Sequence, residues 1–163
     1  GDGQWRQMWL IAIPDYDKQK VNLVKSEAGA WPARDGEVLL ERQYRYPLRE
    51  VITEIPAGKL DDPDEEGIVC ASRELKEETG YSSDDLEWLL TIRTTVAFCD
   101  ERIEVFVARN LIPGEQHLDE DEFIDLKAYT LEELKEKIFS GEIEDSKTIA
   151  ALLAYETKYR KTE

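Results

Sequence analysis

Three glutamates stand close together in residues 73–81, which read RELKEETGY. On a helix Glu74 and Glu78 are four residues apart and Glu74 and Glu77 three apart, so the three carboxylates share one flank. Carboxylates this close repel one another unless positive charge lies between them. Hard divalent cations prefer oxygen ligands of this kind, so the spacing predicts a site for Mg²⁺ or Mn²⁺.

An arginine and a further acid can hold this cluster in place. Arg73 precedes the glutamates and can pair with Glu65, one or two helical turns back. The ordinary interpretation of such an acidic run is a solvated helix face that Lys76 partly neutralises. The longer pattern favours a functional site instead, because a strand ending at Gly58 is followed by an acidic loop, Glu65, seven residues and then the acidic helix.

The element that carries the cluster is predicted to be a helix over residues 67–79. Ile68, Ala71 and Leu75 form its apolar stripe, and Gly80 is a plausible C-terminal cap. The glutamates lie on the other flank, so this helix should have one buried side and one side that faces a metal.

Apolar runs and turn residues predict the remaining elements. Strands are expected at residues 8–13, 21–26, 28–33, 37–46, 51–55, 86–96, 102–108 and 124–129. Thr130 and Glu133 form a capping box for a second helix, and Asp145 or Ser146 can cap the last one. Strands around one embedded helix, followed by two helices, predict the α/β class and a sandwich built on a mixed β-sheet.

Composition limits the classes of protein and of partner. With 163 residues the chain fits a single domain, 1–163, and a net charge of −16 argues against a nucleic-acid partner. We see no apolar run that could cross a bilayer and no signal peptide, so we expect no membrane partner and a cytoplasmic location. Cys70 and Cys99 indicate neither a disulfide framework nor a zinc site, and a single histidine, His117, excludes His-based triads.

Residues 58–81 resemble the Nudix box. That box has a glycine, five residues, Glu, seven residues, Arg-Glu, an aliphatic residue, any residue, Glu-Glu, any residue, Gly and an apolar residue. Here six residues separate Gly58 from Glu65. A one-residue insertion is our preferred explanation, because a surface loop absorbs an extra residue at little cost; the alternative is that Asp64 takes the position of the acid. The resemblance implies a Nudix-type α/β/α sandwich.

The flanking segments are similar to the ADP-ribose pyrophosphatase branch of that family. They are residues 37–46, 54–59, 98–103 and 141–145. By resemblance, the expected metal ligands, for Mg²⁺ or Mn²⁺, are Glu74, Glu77, Glu78 and the carbonyl of Ala57. The expected substrate-binding residues are Arg45, Glu54 and Glu101, the last near the terminal sugar. The expected catalytic residues are Glu78, Arg73, Glu65 and Glu122, of which Glu122, or alternatively Glu120, acts on the attacking water.

The branch also implies an activity and an assembly. ADP-ribose would be hydrolysed to AMP and ribose 5-phosphate, and the chain would form a homodimer in which residues 1–35 are candidates for the contact. One departure concerns the substrate, because residues 95–97 read Thr-Val-Ala where the branch has a Ser-Pro-Gly-type stretch. Another nucleoside-diphosphate sugar or a dinucleotide therefore remains an alternative. A nucleotide-sensing domain without activity and an acidic calcium-binding protein are the rival classes.

Overall fold

The structure is a computed structural model that describes residues 6–12, 37–118 and 123–159, and of residues 6–12 the backbone alone. The strands are β1 (Arg6–Ala12), β2 (Glu37–Arg45), β3 (Glu50–Glu54), β4 (Ala57–Lys59), β5 (Tyr81–Ser82), β6 (Asp85–Arg93), β7 (Arg102–Arg109), β8 (Ile112–Pro113) and β9 (Ile124–Thr130). The helices are α1 (Gly67–Thr79), α2 (Leu131–Phe139) and α3 (Ser146–Tyr159). The strands predicted at residues 21–26 and 28–33 lie outside the described residues.

Seven of the strands form one mixed sheet. The order β3-β2-β1-β7-β6 is its main path, with β4 paired to β1 and β9 paired to β2. The β1–β7 pair is parallel and the other pairs are antiparallel. The predicted mixed sheet is thereby confirmed.

Helices cover both faces of this sheet. One face packs against α1 through the smaller apolar cluster, which includes Leu39, Leu75 and Phe106. The other face packs against α2 and α3 through the larger cluster, which includes Leu134 and Leu152. The layers are therefore helix, sheet and helices, which confirms the predicted α/β/α sandwich.

Local sequence signals account for the helix ends. Gly80 ends α1 in the left-handed region at φ 73°, where a residue without a Cβ is favoured. Thr130 and Glu133 form the expected reciprocal capping box of α2. At the start of α3, Asp145 is the cap, because its Oδ2 accepts the Thr148 N–H at 3.0 Å.

Two expectations about these elements were wrong. Ile68 is 41% exposed, and the buried apolar side of α1 consists of Cys70, Ala71 and Leu75 instead. No separate strand was predicted after residues 51–55, but residues 57–59 form β4, which pairs with β1. No helix among the described residues is long and apolar enough to cross a lipid bilayer.

Candidate active site

The short strand β4 and the helix α1 meet at a glycine. A Cβ placed on Gly58 would lie 1.8 Å from Cδ of Glu74 and 2.0 Å from its Oε1, distances that no real atom pair adopts. The Glu74 carboxyl group therefore lies in the space that any other residue at position 58 would fill. The first glycine of the predicted box is required here for close approach rather than for a turn.

A second carboxylate of α1 contacts the same strand. Oε2 of Glu78 accepts the backbone N–H of Ala57 at 2.9 Å, and the Glu78 side chain is almost fully buried. The backbone of β4 is thus held between two glutamates, Glu74 at Gly58 and Glu78 at Ala57. The carbonyl predicted to bind a metal is that of Ala57, the residue whose N–H donates to Glu78.

Arg73 supplies positive charge to the other two carboxylates. Its Nη1 lies 2.8 Å from Oε1 of Glu74 and 3.1 Å from Oε2 of Glu77. Burial raises the pKa of Glu74, and Arg73 offsets part of that effect. Burial by itself lowers the pKa of Arg73, but its hydrogen bonds to Glu65 and Glu74 raise that pKa overall. Arg73 is therefore a permanent cation, and it is the group on which the carboxylates converge.

The same arginine joins α1 to the acidic loop, residues 61–66. Its Nη2 donates to the carbonyl of Lys59 at 3.0 Å, and its Nε lies 3.3 Å from Asp61 and 3.5 Å from Glu65. Glu65 in turn accepts the Asp61 N–H at 2.8 Å. The predicted pairing of Arg73 with Glu65 is present, and Glu65 closes the acidic loop while it orients the arginine.

A loop after β8 holds the carboxyl end of α1. Gln116 Nε2 donates to the carbonyl of Glu78 at 2.6 Å, and the N–H of His117 donates to the carbonyl of Glu77 at 2.9 Å. These bonds satisfy two of the carbonyls that a helix leaves without partners at its end. They also fix the turn from which the glutamates project.

Arg45 and Glu54, the residues predicted to contact substrate, form an ion pair on the hairpin of β2 and β3. The Arg45 Nε donates to Oε1 of Glu54 at 2.6 Å, and Glu54 is fully buried. Burial by itself lowers the pKa of Arg45, but the charge of Glu54, with Glu41 and Glu78 nearby, raises it overall. Glu54 ends β3 three residues before Ala57, whose N–H donates to Glu78, so this pair lies near α1.

Two charged residues near this pair were missed in the sequence. Glu41 is fully buried and lies directly opposite Glu54 in the β2–β3 register. Lys147, in the first turn of α3, lies 3.2 Å from Oε2 of Glu54. A buried acid directly after the apolar run of β2 has only a weak signal in the sequence, and no local pattern pointed to Lys147.

The remaining predicted residues lie elsewhere or outside the description. Glu101 precedes β7 and accepts a hydrogen bond from the Thr94 hydroxyl at 2.7 Å, which ties it to the loop between β6 and β7. Gln7 of β1 pairs with Lys59 of β4 on one side and with Ile103 of β7 on the other. The loop between β6 and β7 and the acidic loop therefore lie at the same end of the sheet. Glu122 and its alternative Glu120 lie outside the described residues.

The side chains of this site suit a divalent cation in their chemistry but are not gathered around one point. Within the part of the chain that the structure describes, no group of three His, Cys, Asp or Glu side chains is arranged to hold a metal ion. The donor set nevertheless consists of hard carboxylate oxygens, and Glu74 and Glu77 already share one cationic partner. In donor type, these residues therefore fit a hard cation such as Mg²⁺ or Mn²⁺.

Comparison with known proteins identifies the family. The model of the NUDIX domain matches residues 25–152. The chain is 45% identical over 120 residues to the methanol dehydrogenase activator of Bacillus methanolicus and 40% identical over 120 residues to the ADP-ribose pyrophosphatase of Bacillus subtilis (strain 168). Each match covers 72% of this chain and 64% of the relative, so the chain spans less than two thirds of the length of these proteins.

A solved structure agrees on the fold. The crystal structure of an ADP compounds hydrolase superposes with a TM-score of 0.71, covering 93% of this chain and 71% of the other, at 20% sequence identity. The match to the domain model includes β2 to β9 and the first residues of α3, and with them every carboxylate of α1. The chain therefore belongs to the Nudix family.

Proposed function

We propose that this protein is a metal-dependent hydrolase that cleaves the diphosphate of ADP-ribose to give AMP and ribose 5-phosphate. The observation that carries the proposal is the contact between α1 and β4. The Glu74 carboxyl group fills the space at Gly58, and Glu78 accepts the N–H of Ala57. The names of two relatives support the substrate: the ADP-ribose pyrophosphatases of Bacillus subtilis and of Mycobacterium tuberculosis, the latter 32% identical over 124 residues.

The proposed metal ligands are Glu74, Glu77, Glu78 and the carbonyl of Ala57. Mg²⁺ or Mn²⁺ suits these oxygens, and when bound it supplies positive charge that offsets the charge of the diphosphate. Arg73, held by Glu65, keeps the carboxylates on one flank of α1 while no metal is bound.

The proposed roles of the other side chains follow from their charge. Arg45 binds a phosphate group, because a planar guanidinium can contact two phosphate oxygens at once. Glu54 orients Arg45 through the bond to Nε. Glu101 contacts the terminal sugar. Glu122, or alternatively Glu120, accepts a proton from the attacking water, which a carboxylate can do when that water is acidified.

The names of further relatives indicate the alternative substrates. An ADP compounds hydrolase, NudE of Escherichia coli (strain K12), is 26% identical over 121 residues, and a GDP-mannose pyrophosphatase of Cronobacter sakazakii (strain ATCC BAA-894) is 32% identical over 124 residues. The loop between β6 and β7 carries the departure at residues 95–97, and Val96 and Phe98 in it are highly exposed. A change in this loop is the route by which another base or sugar would be selected.

We further propose one domain over residues 1–163, a homodimer and a cytoplasmic location. The β2–β3 hairpin exposes an apolar surface next to Arg45: Tyr44, Tyr46, Leu48 and Val51. An apolar surface of this kind suits a partner subunit, with residues 1–35 as a further part of the contact. The two free cysteines fit a reducing compartment. Sedimentation velocity would test the assembly, because a purely monomeric species at micromolar concentration contradicts it.

The experiment that tests the proposed activity is a substrate panel. The protein is incubated with Mg²⁺ or Mn²⁺ and with ADP-ribose, GDP-mannose, other sugar nucleotides and dinucleotides, and products are resolved by chromatography. We expect AMP from ADP-ribose at the highest kcat/KM. A faster alternative substrate would keep the hydrolase and reject the specificity, whereas binding without any cleavage would favour a nucleotide-sensing domain.

A further inference from the structure

Lys147 occupies a position that is unfavourable for a lysine. It lies in the first turn of α3, where the helix dipole disfavours positive charge, and its side chain is only 15% exposed. Burial of an ammonium group is costly unless acids compensate it. Its Nζ has two such acids, Oδ1 of Asp145 at 2.5 Å and Oε2 of Glu54 at 3.2 Å.

The start of α3 is also bonded to the end of β3. The buried Thr148 hydroxyl accepts the N–H of Ile55 at 3.1 Å and donates to Asp145 at 2.6 Å. Asp145 therefore binds both Thr148 and Lys147, and these bonds position the start of α3 relative to Glu54. The helix turn that carries Lys147 is therefore bonded, through Thr148, to Ile55, the residue after Glu54.

Glu54 is the group that needs this lysine. Glu41 lies directly opposite it on β2, and both side chains are fully buried. Like charges opposite each other in a sheet are destabilising, and burial strengthens the repulsion. Glu54 lies between two cations, with Arg45 on Oε1 and Lys147 on Oε2, so each of its oxygens has a separate positive partner.

We propose that Lys147 is a positioning residue for substrate binding, which acts through Glu54 on Arg45. The ion pair of Lys147 with Oε2 leaves Oε1 to accept from the Nε of Arg45, and this bond fixes the plane of the guanidinium. An arginine held at Nε presents its two terminal amino groups to an anion in a fixed orientation. The last step, in which that anion is the diphosphate of the substrate, rests on the proposed function.

The first test needs no substrate. In the free protein, NMR of the arginine Nε–H groups reports the bond from Arg45 to Glu54, with the signal assigned from Arg45→Lys. We expect Lys147→Met to shift this signal and to speed its exchange with water, and Lys147→Arg to restore it. The matched control is Lys135→Met, which removes a similar ion pair, to Glu156 at 2.7 Å, between α2 and α3. An unchanged Arg45 signal in Lys147→Met would overturn the proposal.

The second test uses kinetics with ADP-ribose. Lys147→Met should raise KM about tenfold with little change in kcat, because it weakens binding that substrate and transition state share. In an Arg45→Ala background the same change should add little, since the lysine acts through the arginine. Equal effects of Lys147→Met in both backgrounds, or a lower unfolding temperature as the sole effect, would overturn the proposal. If Lys147→Met does not fold, Lys147→Gln serves in the same comparisons.

The two tests separate the two proposals. If the parent protein cleaves none of the diphosphates, the proposed function fails, and the NMR comparison still decides whether Lys147 sets Arg45. If the parent is active but the Arg45 signal ignores Lys147, the proposed function stands and the role of Lys147 is wrong.

Discussion

Helices α1 and α2 differ in where their charged side chains lie relative to the helix dipole. In α2, Thr130 caps the amino end, Glu132 and Glu133 lie in the first turn and Lys137 lies in the last, so these three charges each oppose the nearer pole. Glu136, near the carboxyl end, is the exception. In α1 the first turn has no acid and the residue before it makes no side-chain cap bond. Its three glutamates lie in the second half, near the negative pole.

We interpret this difference as one between a helix that serves folding and a helix that carries the proposed site. Anions near the carboxyl end of a helix are destabilising, and mutual repulsion adds to that cost. Arg73 offsets part of it by contact with Glu74 and Glu77. The proposed metal ligands of α1 lie where the dipole disfavours anions, whereas the acids of α2 lie mainly in its first turn. The amino end of α3 carries a cation that the dipole disfavours, Lys147, which is the residue that reaches Glu54.

The largest expected effect comes from the carboxylate of α1 that binds β4. Glu78→Gln keeps an oxygen that can accept the Ala57 N–H but removes the charge. We expect turnover to fall on the order of 10²–10³-fold, which is typical when one group that stabilises the transition state is lost. The unfolding temperature should not fall. Turnover within a few-fold of the parent would mean that the acidic flank of α1 is an ordinary solvated helix face.

The next prediction concerns Gly58. In Gly58→Ala the new Cβ displaces the Glu74 carboxyl group, which is the end of a flexible side chain, so the fold should tolerate the change. A displacement of about 1 Å at a site of this kind can cost about 10² in turnover. Kinetics and thermal unfolding measured together check this: an unfolding temperature several degrees lower with unaltered turnover would mean that the glycine serves packing alone.

For α2 the opposite pattern is expected. Thr130→Ala removes the cap from the Glu133 N–H and should destabilise the protein by about 1 kcal/mol. Turnover of the folded protein should not change. Urea unfolding gives the free energy, and a loss of turnover at equal folded fraction would show that the two helices are not separable in this way.

The smallest effect is a dependence on pH. The backbone N–H of Thr130, followed by its hydroxyl, lowers the pKa of Glu133 below its ordinary value of 4.5. An acid with a lowered pKa stabilises the fold above its unfolded pKa, and that contribution is lost as pH falls through the folded pKa. The stability of the parent should thus exceed that of Glu133→Gln at pH 7, and the two should converge below pH 4.5. A difference that persists at low pH would contradict the assignment to this carboxylate.

Local signals were sufficient for most of the fold. The bounds of α1, its cap at Gly80 and the capping box of α2 all depend on residues within a few positions of one another, and all are present. The prediction that Ile68 is buried was wrong. It was based on hydropathy, whereas the packing of α1 on the sheet buries Cys70 instead. β4 was missed because it is short and is stabilised by pairing with a distant strand.

The candidate site divides in the same way. The carboxylates of α1 and the pairing of Arg73 with Glu65 could be predicted because helical spacing and one loop bring them together. The approach of Lys147 to Glu54 could not, since it joins residues 93 positions apart through the packing of α3 on the sheet. Contacts of that kind depend on tertiary structure, and no periodicity in the sequence encodes them.

A titration with Mg²⁺ would decide whether the carboxylates of α1 form the metal-dependent hydrolytic centre that we propose. The release of AMP from ADP-ribose is followed as Mg²⁺ is raised from zero in chelator-treated protein. We expect no AMP without Mg²⁺, a saturable rise with Mg²⁺, and ribose 5-phosphate in equal amount. If AMP is released without a divalent cation, or is not released at saturating Mg²⁺ or Mn²⁺, the proposed function is wrong.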